Sequence, residues 1–185
     1  MANHVFCDTD FAGYRMPSYK TPKIVPKEPR TDMWWGRGND AQTPGIAANP
    51  TELARMQKMF LLRDKILQFG GNEVCMPITE EDYTSLMENG IIMPLRSRLM
   101  LGRPSRCHEN ASLLWEANQD NTRICTGYAL STDGLWRQHS WVMHMYYTPK
   151  GYTKARIVET TAKRVAYFGI IFSEEECTKF CYENT

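Results

Sequence analysis

Apolar residues change their period along this chain. From Asn49 to Glu116 they recur at steps of three and four, and from Thr122 to Phe172 they alternate or gather in short blocks. Asn49 can cap a helix with Pro50 in its first turn, with Leu53, Met56, Phe60 and Leu67 on one face and Gly70 and Gly71 beyond its end. The stretch "TEEDYTSLMENG" predicts a short second helix from Thr79, with a hydroxyl cap, an acidic first turn and a closing glycine. A third helix starts near Cys107, with Ala111, Leu114 and Trp115 on one side. Four strands follow, in "TRICTGYALST", "LWRQHSWVMHMYY", "YTKARIVETT" and "RVAYFGIIF". A "TDG" turn joins the first two and "TPKG" the next pair, and Ser173 with Glu176 forms a capping box for a closing helix. Helices followed by an antiparallel meander indicate an α+β domain.

Residues 1–48 break this pattern. They hold many prolines, several glycines and no sustained period, so they read as an extended arm ahead of a domain over 49–185, with Trp34 and Trp35 as possible anchors for a partner. The full chain has 185 residues, 42% of them hydrophobic, which suits one domain with a substantial core. Its 22 basic and 21 acidic residues nearly cancel, which gives no footing for a nucleic-acid or membrane-surface binder. No apolar run approaches the roughly 20 residues that span a bilayer. The first residues lack a basic segment followed by an apolar one, so the chain is expected in the cytoplasm.

Cysteine is the residue that changes the picture. Six are present, at 7, 75, 107, 125, 177 and 181, and reduced thiols are expected of a chain with this profile. Cys177 and Cys181 have helical spacing, but no second pair completes a zinc site, and no metal or other cofactor is expected. Cys107 stands at the seam between the loop "GRPSR" and its helix. A helix start favours the thiolate, which is the attacking form, and a nearby imidazole supplies the rest of the activation. The imidazole in turn needs an acceptor to orient it. His139 in "WRQHSWVMH" and Glu159 in "IVETT" meet both needs. If the "TPKG" turn centres near residue 149, the two fall almost opposite each other on neighbouring strands, within cross-strand reach.

The ordered elements "CHENASLLWE", "RICTGYAL", "HSWVMH" and "RIVETT" resemble the transglutaminase-like superfamily of papain-like cysteine enzymes. The resemblance covers the middle third of the chain, at residues 107, 127–128, 139–142 and 159–161. It implies a papain/transglutaminase-like fold, with Cys107 as nucleophile, His139 as base and Glu159 as the orienting acid. It also implies that the backbone N–H of Cys107 donates to the oxyanion. The family's acid is usually Asp, where this chain has Glu159. Gln138 is a weak candidate for a second oxyanion donor, since strand alternation turns it away from His139. Trp141 shares the His139 face and is a candidate for packing or substrate contact beside the site.

The residues adjacent to the thiol are open to more than one reading. His108 is expected to point elsewhere on the helix, as a surface or capping residue, and His144 to lie on the opposite strand face from His139. Asn110 can bond the loop backbone or merely sit in the first turn, and Arg103 and Arg106 can favour the thiolate or be solvated charges. The expected activity is a cysteine hydrolase or acyltransferase on amide bonds: a peptidase, amidase or glutamine deamidase, with a peptide or protein substrate. Two other readings remain: a catalytically silent binding module that uses the N-terminal arm, and a redox sensor with Cys107 and Cys125 as attacking and resolving thiols. The oligomeric state is left open.

Overall fold

The computed structural model describes residues 49–93, 97–149 and 153–185. The arm over 1–48, with Trp34, Trp35 and Cys7, lies outside the described residues. Within them the chain is α+β: α1 (Pro50–Leu67), β1 (Glu73–Cys75), α2 (Tyr83–Asn89), β2 (Ile91–Met93), β3 (Ser97–Leu99), α3 (Cys107–Glu116), β4 (Thr122–Leu130), β5 (Leu135–Tyr147), β6 (Thr153–Glu159), β7 (Ala166–Ile171) and α4 (Glu174–Asn184).

The caps act as the sequence indicates. Asn49 Oδ1 accepts from the Thr51 N–H at 3.0 Å, and Ser173 and Glu176 close a reciprocal capping box on α4. Gly134 takes φ +83° in the β4–β5 turn, a conformation that costs glycine little. The buried face of α1 differs from the expected one. Leu62 and Ile66 meet the core, while Leu53 and Phe60 are about half exposed. Apolar residues surround much of this helix, so two overlapping stripes fit its period, and contact with the sheet selects the second. α2 starts at Tyr83, not at Thr79. Glu80 is turned inward to accept from the Tyr128 hydroxyl at 2.6 Å, which takes it out of a solvent-facing first turn.

β4, β5 and β6 form the expected antiparallel meander, and β7 returns to the other side of β4. The three short strands were not expected. β1 pairs in parallel with the start of β5, β3 pairs in parallel with β6, and β2 pairs antiparallel with β7. The resulting order is β2-β7-β4-β5-β6-β3, with β1 attached to β5 off this path.

That order forces curvature. β2 and β3 stand at opposite ends of the sheet, yet only residues 94–96 separate them in sequence. So short a link reaches about 14 Å, whereas six flat strands would hold their outer members roughly 24 Å apart. The sheet therefore curls. Its outer face carries the four described α-helices and a core that includes Leu62, Leu86, Trp115, Tyr128, Phe168 and Cys181. Its inner face holds a second cluster around Cys125, Trp141, Met143, Ile157 and Tyr167, to which no described helix contributes.

Candidate active site

The residues that the sequence singles out meet at an interruption in the pairing of β5. On one flank β5 pairs with β1 as far as Arg137, and with β6 from Val142 onward. Among the described residues, the stretch 138–141 has ladder partners on the β4 side alone. The N-terminus of α3 meets β5 at this opening.

Cys107 is the first residue of α3 and is partly exposed. Its position is set by the loop before it. The Gly102 N–H donates to Thr160 O at 2.9 Å, and Asn110 bonds both the N–H and the carbonyl of Arg103, at 2.9 and 2.8 Å. A Cβ on Gly102 would lie 2.4 Å from Asn110 Oδ1, so a larger residue here would displace the amide that ties the loop to α3. Ser105 takes φ +58°, the one non-glycine residue with positive φ among those described. Arg106 occupies the N-cap and its side chain makes no capping bond. The first-turn N–H groups of α3 thus have no capping side chain beside the sulfur, and the positive end of the helix dipole faces it.

His139 and Glu159 project from the inner face of the sheet. His139 is 2% exposed and Glu159 is fully buried. The imidazole Nε2 lies 2.9 Å from Glu159 Oε2 and 3.1 Å from Oε1. Glu159 also accepts from the Thr161 N–H (2.8 Å), the Thr161 hydroxyl (3.0 Å) and the Tyr167 hydroxyl (3.0 Å). These bonds fix the carboxylate, and the carboxylate takes Nε2, which leaves Nδ1 for the thiol.

The electrostatics follow from these contacts. Burial alone would push the Cys107 thiol up, but hydrogen bonds with His108 and His139 overcome it and leave the group at about 5. Burial works against the charged form of His139, and bonds to Cys107 and Glu159 reverse this, so its pKa is raised. Burial would raise Glu159, and the His139 bond followed by the Thr161 donors brings it down to about 2. All three shifts favour the charged forms: thiolate, imidazolium and carboxylate in series.

The structure thus brings Cys107, His139 and Glu159 together. The other expected site residues stand elsewhere. Gln138 points to the outer face, where its amide nitrogen lies 3.3 Å from Glu80. Trp141 is fully buried between His139 and Tyr167, with ring centroids 6.2 and 5.0 Å away, so it backs the imidazole and offers no surface to a substrate. Arg103 and Arg106 are exposed and both pair with Glu109. His144 stacks on Tyr146, with centroids 5.9 Å apart, away from the thiol. Cys125 is fully buried and burial pushes its thiol well up, which disfavours it as a resolving partner. Among the described residues, no group of three or more His, Cys, Asp or Glu is arranged to hold a metal ion.

Sequence reasoning missed His108. Its ring does not turn to solvent: Nδ1 lies 2.8 Å from Ser140 Oγ, and the side chain bonds the Cys107 thiol. Helical geometry separates neighbouring side chains, and only the strand facing them reconciles the two. Consecutive residues of β5 point to opposite faces, so His139 meets Cys107 from within and Ser140 meets His108 from outside. An open pocket of about 270 Å³ lies along α3, lined by Met100, Gly102, Asn110, Leu113, Leu114, Ala117 and Thr160, and none of the four junction residues lines it.

Against models of protein families, curated proteins and solved structures, the chain finds no match.

Proposed function

We propose that this protein is a cysteine hydrolase of the papain/transglutaminase-like kind, acting on amide bonds of a peptide or protein. One observation carries the reading: a thiol at the start of a helix is backed by an imidazole whose far nitrogen lies 2.9 Å from a buried carboxylate, a series that lowers the thiol. A purely structural core has no need of this series, because each buried charge costs energy unless it is paired. The Cys107 thiolate would attack the amide carbonyl, and first-turn N–H groups of α3, including that of Cys107, would receive the charge on oxygen. The His139 imidazolium would protonate the departing amine, then accept a proton from the water that attacks the thioester. Release of the acyl group to water regenerates the thiolate.

The reading is tested with a mixture of natural-sequence peptides incubated with the wild-type protein and with Cys107→Ala. Mass spectrometry separates new peptide termini, conversion of Gln to Glu, and amines joined to Gln. Any one of these, dependent on Cys107, supports an amide-directed cysteine enzyme and names its reaction. No Cys107-dependent change overturns the reading.

A further inference from the structure

We propose that the outer face of β3 and β6 is a substrate track leading away from Cys107. It takes an extended peptide that bears an apolar residue and, two positions further on, an acidic one. This rests on the reading of Cys107 as a nucleophile toward peptide amides and extends it to the class of sequence bound. The track starts at the loop that seats the nucleophile. Gly102 bonds Thr160 O and Asn110 bonds Arg103, and both Gly102 and Asn110 line the open pocket of about 270 Å³. Asn110 follows Cys107 by three residues, about one helical turn. Cys107, Asn110 and Leu114 stand at i, i+3 and i+7, so the sulfur and the pocket share one face of α3. Met100, Leu113, Leu114 and Ala117 make the lining mainly apolar. Met100, Leu101 and Leu113 are exposed there, a cluster of apolar side chains that gains by being covered.

Two residues back along β3 the character changes. Arg98 stands opposite Val158, whose side chain belongs to the outer core, and Arg156 precedes Val158 by two residues on β6. Alternation therefore places Arg98, Arg156 and Lys154 together on the outer face. A second pocket, of about 490 Å³, is lined by Ser97, Arg98, Tyr146, Ala155 and Arg156, with the Arg156 guanidinium 5.3 Å from the centre of the Tyr146 ring. Arg98, Lys154 and Arg156 are exposed and pair with no carboxylate among the described residues, whereas Arg55, Arg63, Arg106, Arg137 and Lys179 each do. Unmatched positive charge next to an apolar pocket suits a ligand that carries both an apolar and a negative group. Met100 and Arg98 are two residues apart, roughly 6.6 Å, which is also the spacing of same-side residues in an extended peptide. β3 ends the path of the described sheet. The Met100 N–H donates to Glu159 O on β6, so Leu99 turns its backbone groups outward, where such a peptide can bond them. Three cations beside an apolar pocket are too few to track a nucleic-acid backbone, which favours the peptide.

The test is binding to isotope-labelled, full-length Cys107→Ala protein, followed by amide resonances, so that no reaction is required. The probe is acetyl-GGLGDGG-amide, compared with GGLGNGG, GGGGDGG and GGLDGGG capped in the same way. The amides of Arg98, Met100, Arg156 and Thr160 should shift together and saturate. Exchange of the peptide's D for N should weaken binding by about fivefold, as two exposed ion pairs allow. Loss of its leucine should weaken binding by about tenfold. The peptide with adjacent L and D should bind no better than the N control. Arg98→Ala with Arg156→Ala should erase the difference between the D and N peptides and keep the preference for leucine. Equal binding of the D and N peptides, no saturable shift at these amides, or tighter binding by a thymidine octamer overturns the track. Cys107-dependent turnover of peptides by the wild-type protein, with no binding at these amides, removes the track and spares the enzyme. Binding at these amides without any turnover removes the enzyme reading and leaves the face as a peptide site.

Discussion

His139 and Glu159 bond along a diagonal. The register of β5 with β6 pairs Val142 with Val158, and its extension sets Trp141, not His139, opposite Glu159. The 2.9 Å bond between them therefore reaches across two positions of the inner face. Glutamate has the length for this diagonal, and aspartate would draw the carboxylate back by about 1.5 Å. Glu159→Asp should thus lose most of the Cys107 activation, much as Glu159→Gln does. In both, the alkylation midpoint should move from about 5 toward the ordinary thiol range. An Asp variant indistinguishable from wild type would show that the strand can shift to restore the bond.

Labelling should be selective among the six cysteines. At pH 6 an iodoacetamide-type reagent should modify Cys107 first, since its thiol sits at about 5 while burial pushes Cys177 up to about 11. Peptide-level mass spectrometry of the folded protein should show Cys125, Cys177 and Cys181 unmodified. Cys107→Ala should leave only slow reaction at exposed positions such as Cys75. Equal early labelling in the variant would contradict an activated Cys107.

Glu159 should make the protein sensitive to acid in a defined window. Its folded pKa of about 2 lies below its ordinary 4.5, so its contribution is complete above 4.5 and is lost as pH falls toward 2. The loss is on the order of 3 kcal/mol. Glu159→Gln should be less stable at neutral pH and show a flatter profile across that window. His139 has the opposite sign: its pKa is raised, so its stabilisation is full below 6.5 and fades as pH rises through the folded value. Urea unfolding midpoints from pH 2 to 8 measure both slopes.

Removing the imidazole should cost stability as well as reactivity. His139→Ala leaves a fully buried carboxylate without its cationic partner, a change worth about 3 kcal/mol or more. The double variant His139→Ala, Glu159→Gln should be less destabilised than the two single losses together, because the second change removes the unpaired charge that the first creates. Strict additivity in denaturant melts would mean that the pair does not interact in the folded protein.

Strands β4 to β7 and the α4 capping box were legible because each carries its own local signal: alternation, a turn glycine, or a serine three residues before a glutamate. So was the grouping of Cys107, His139 and Glu159, since a turn fixes which strand residues become neighbours. The short strands β1, β2 and β3 have three residues each, too few to show a period, and exist because longer strands offer them an edge. The inward turn of Glu80 depends on Tyr128, far along the chain, so no local rule anticipates it. His108 was misread for a related reason. Helical geometry treats Cys107 and His108 as divergent, and only the opposed faces of His139 and Ser140 give both a partner on β5.

The opening in the β5 ladder has a consequence for how the protein comes into being. Sulfur and imidazole belong to different layers, and the chain is made in the order Cys107, His139, Glu159. A chain halted before β6 holds no Glu159 to orient His139, so the lowered thiol of Cys107 depends on the last strands being in place and on α3 seated at the opening. The series of sulfur, imidazole and carboxylate is thus a product of the completed fold.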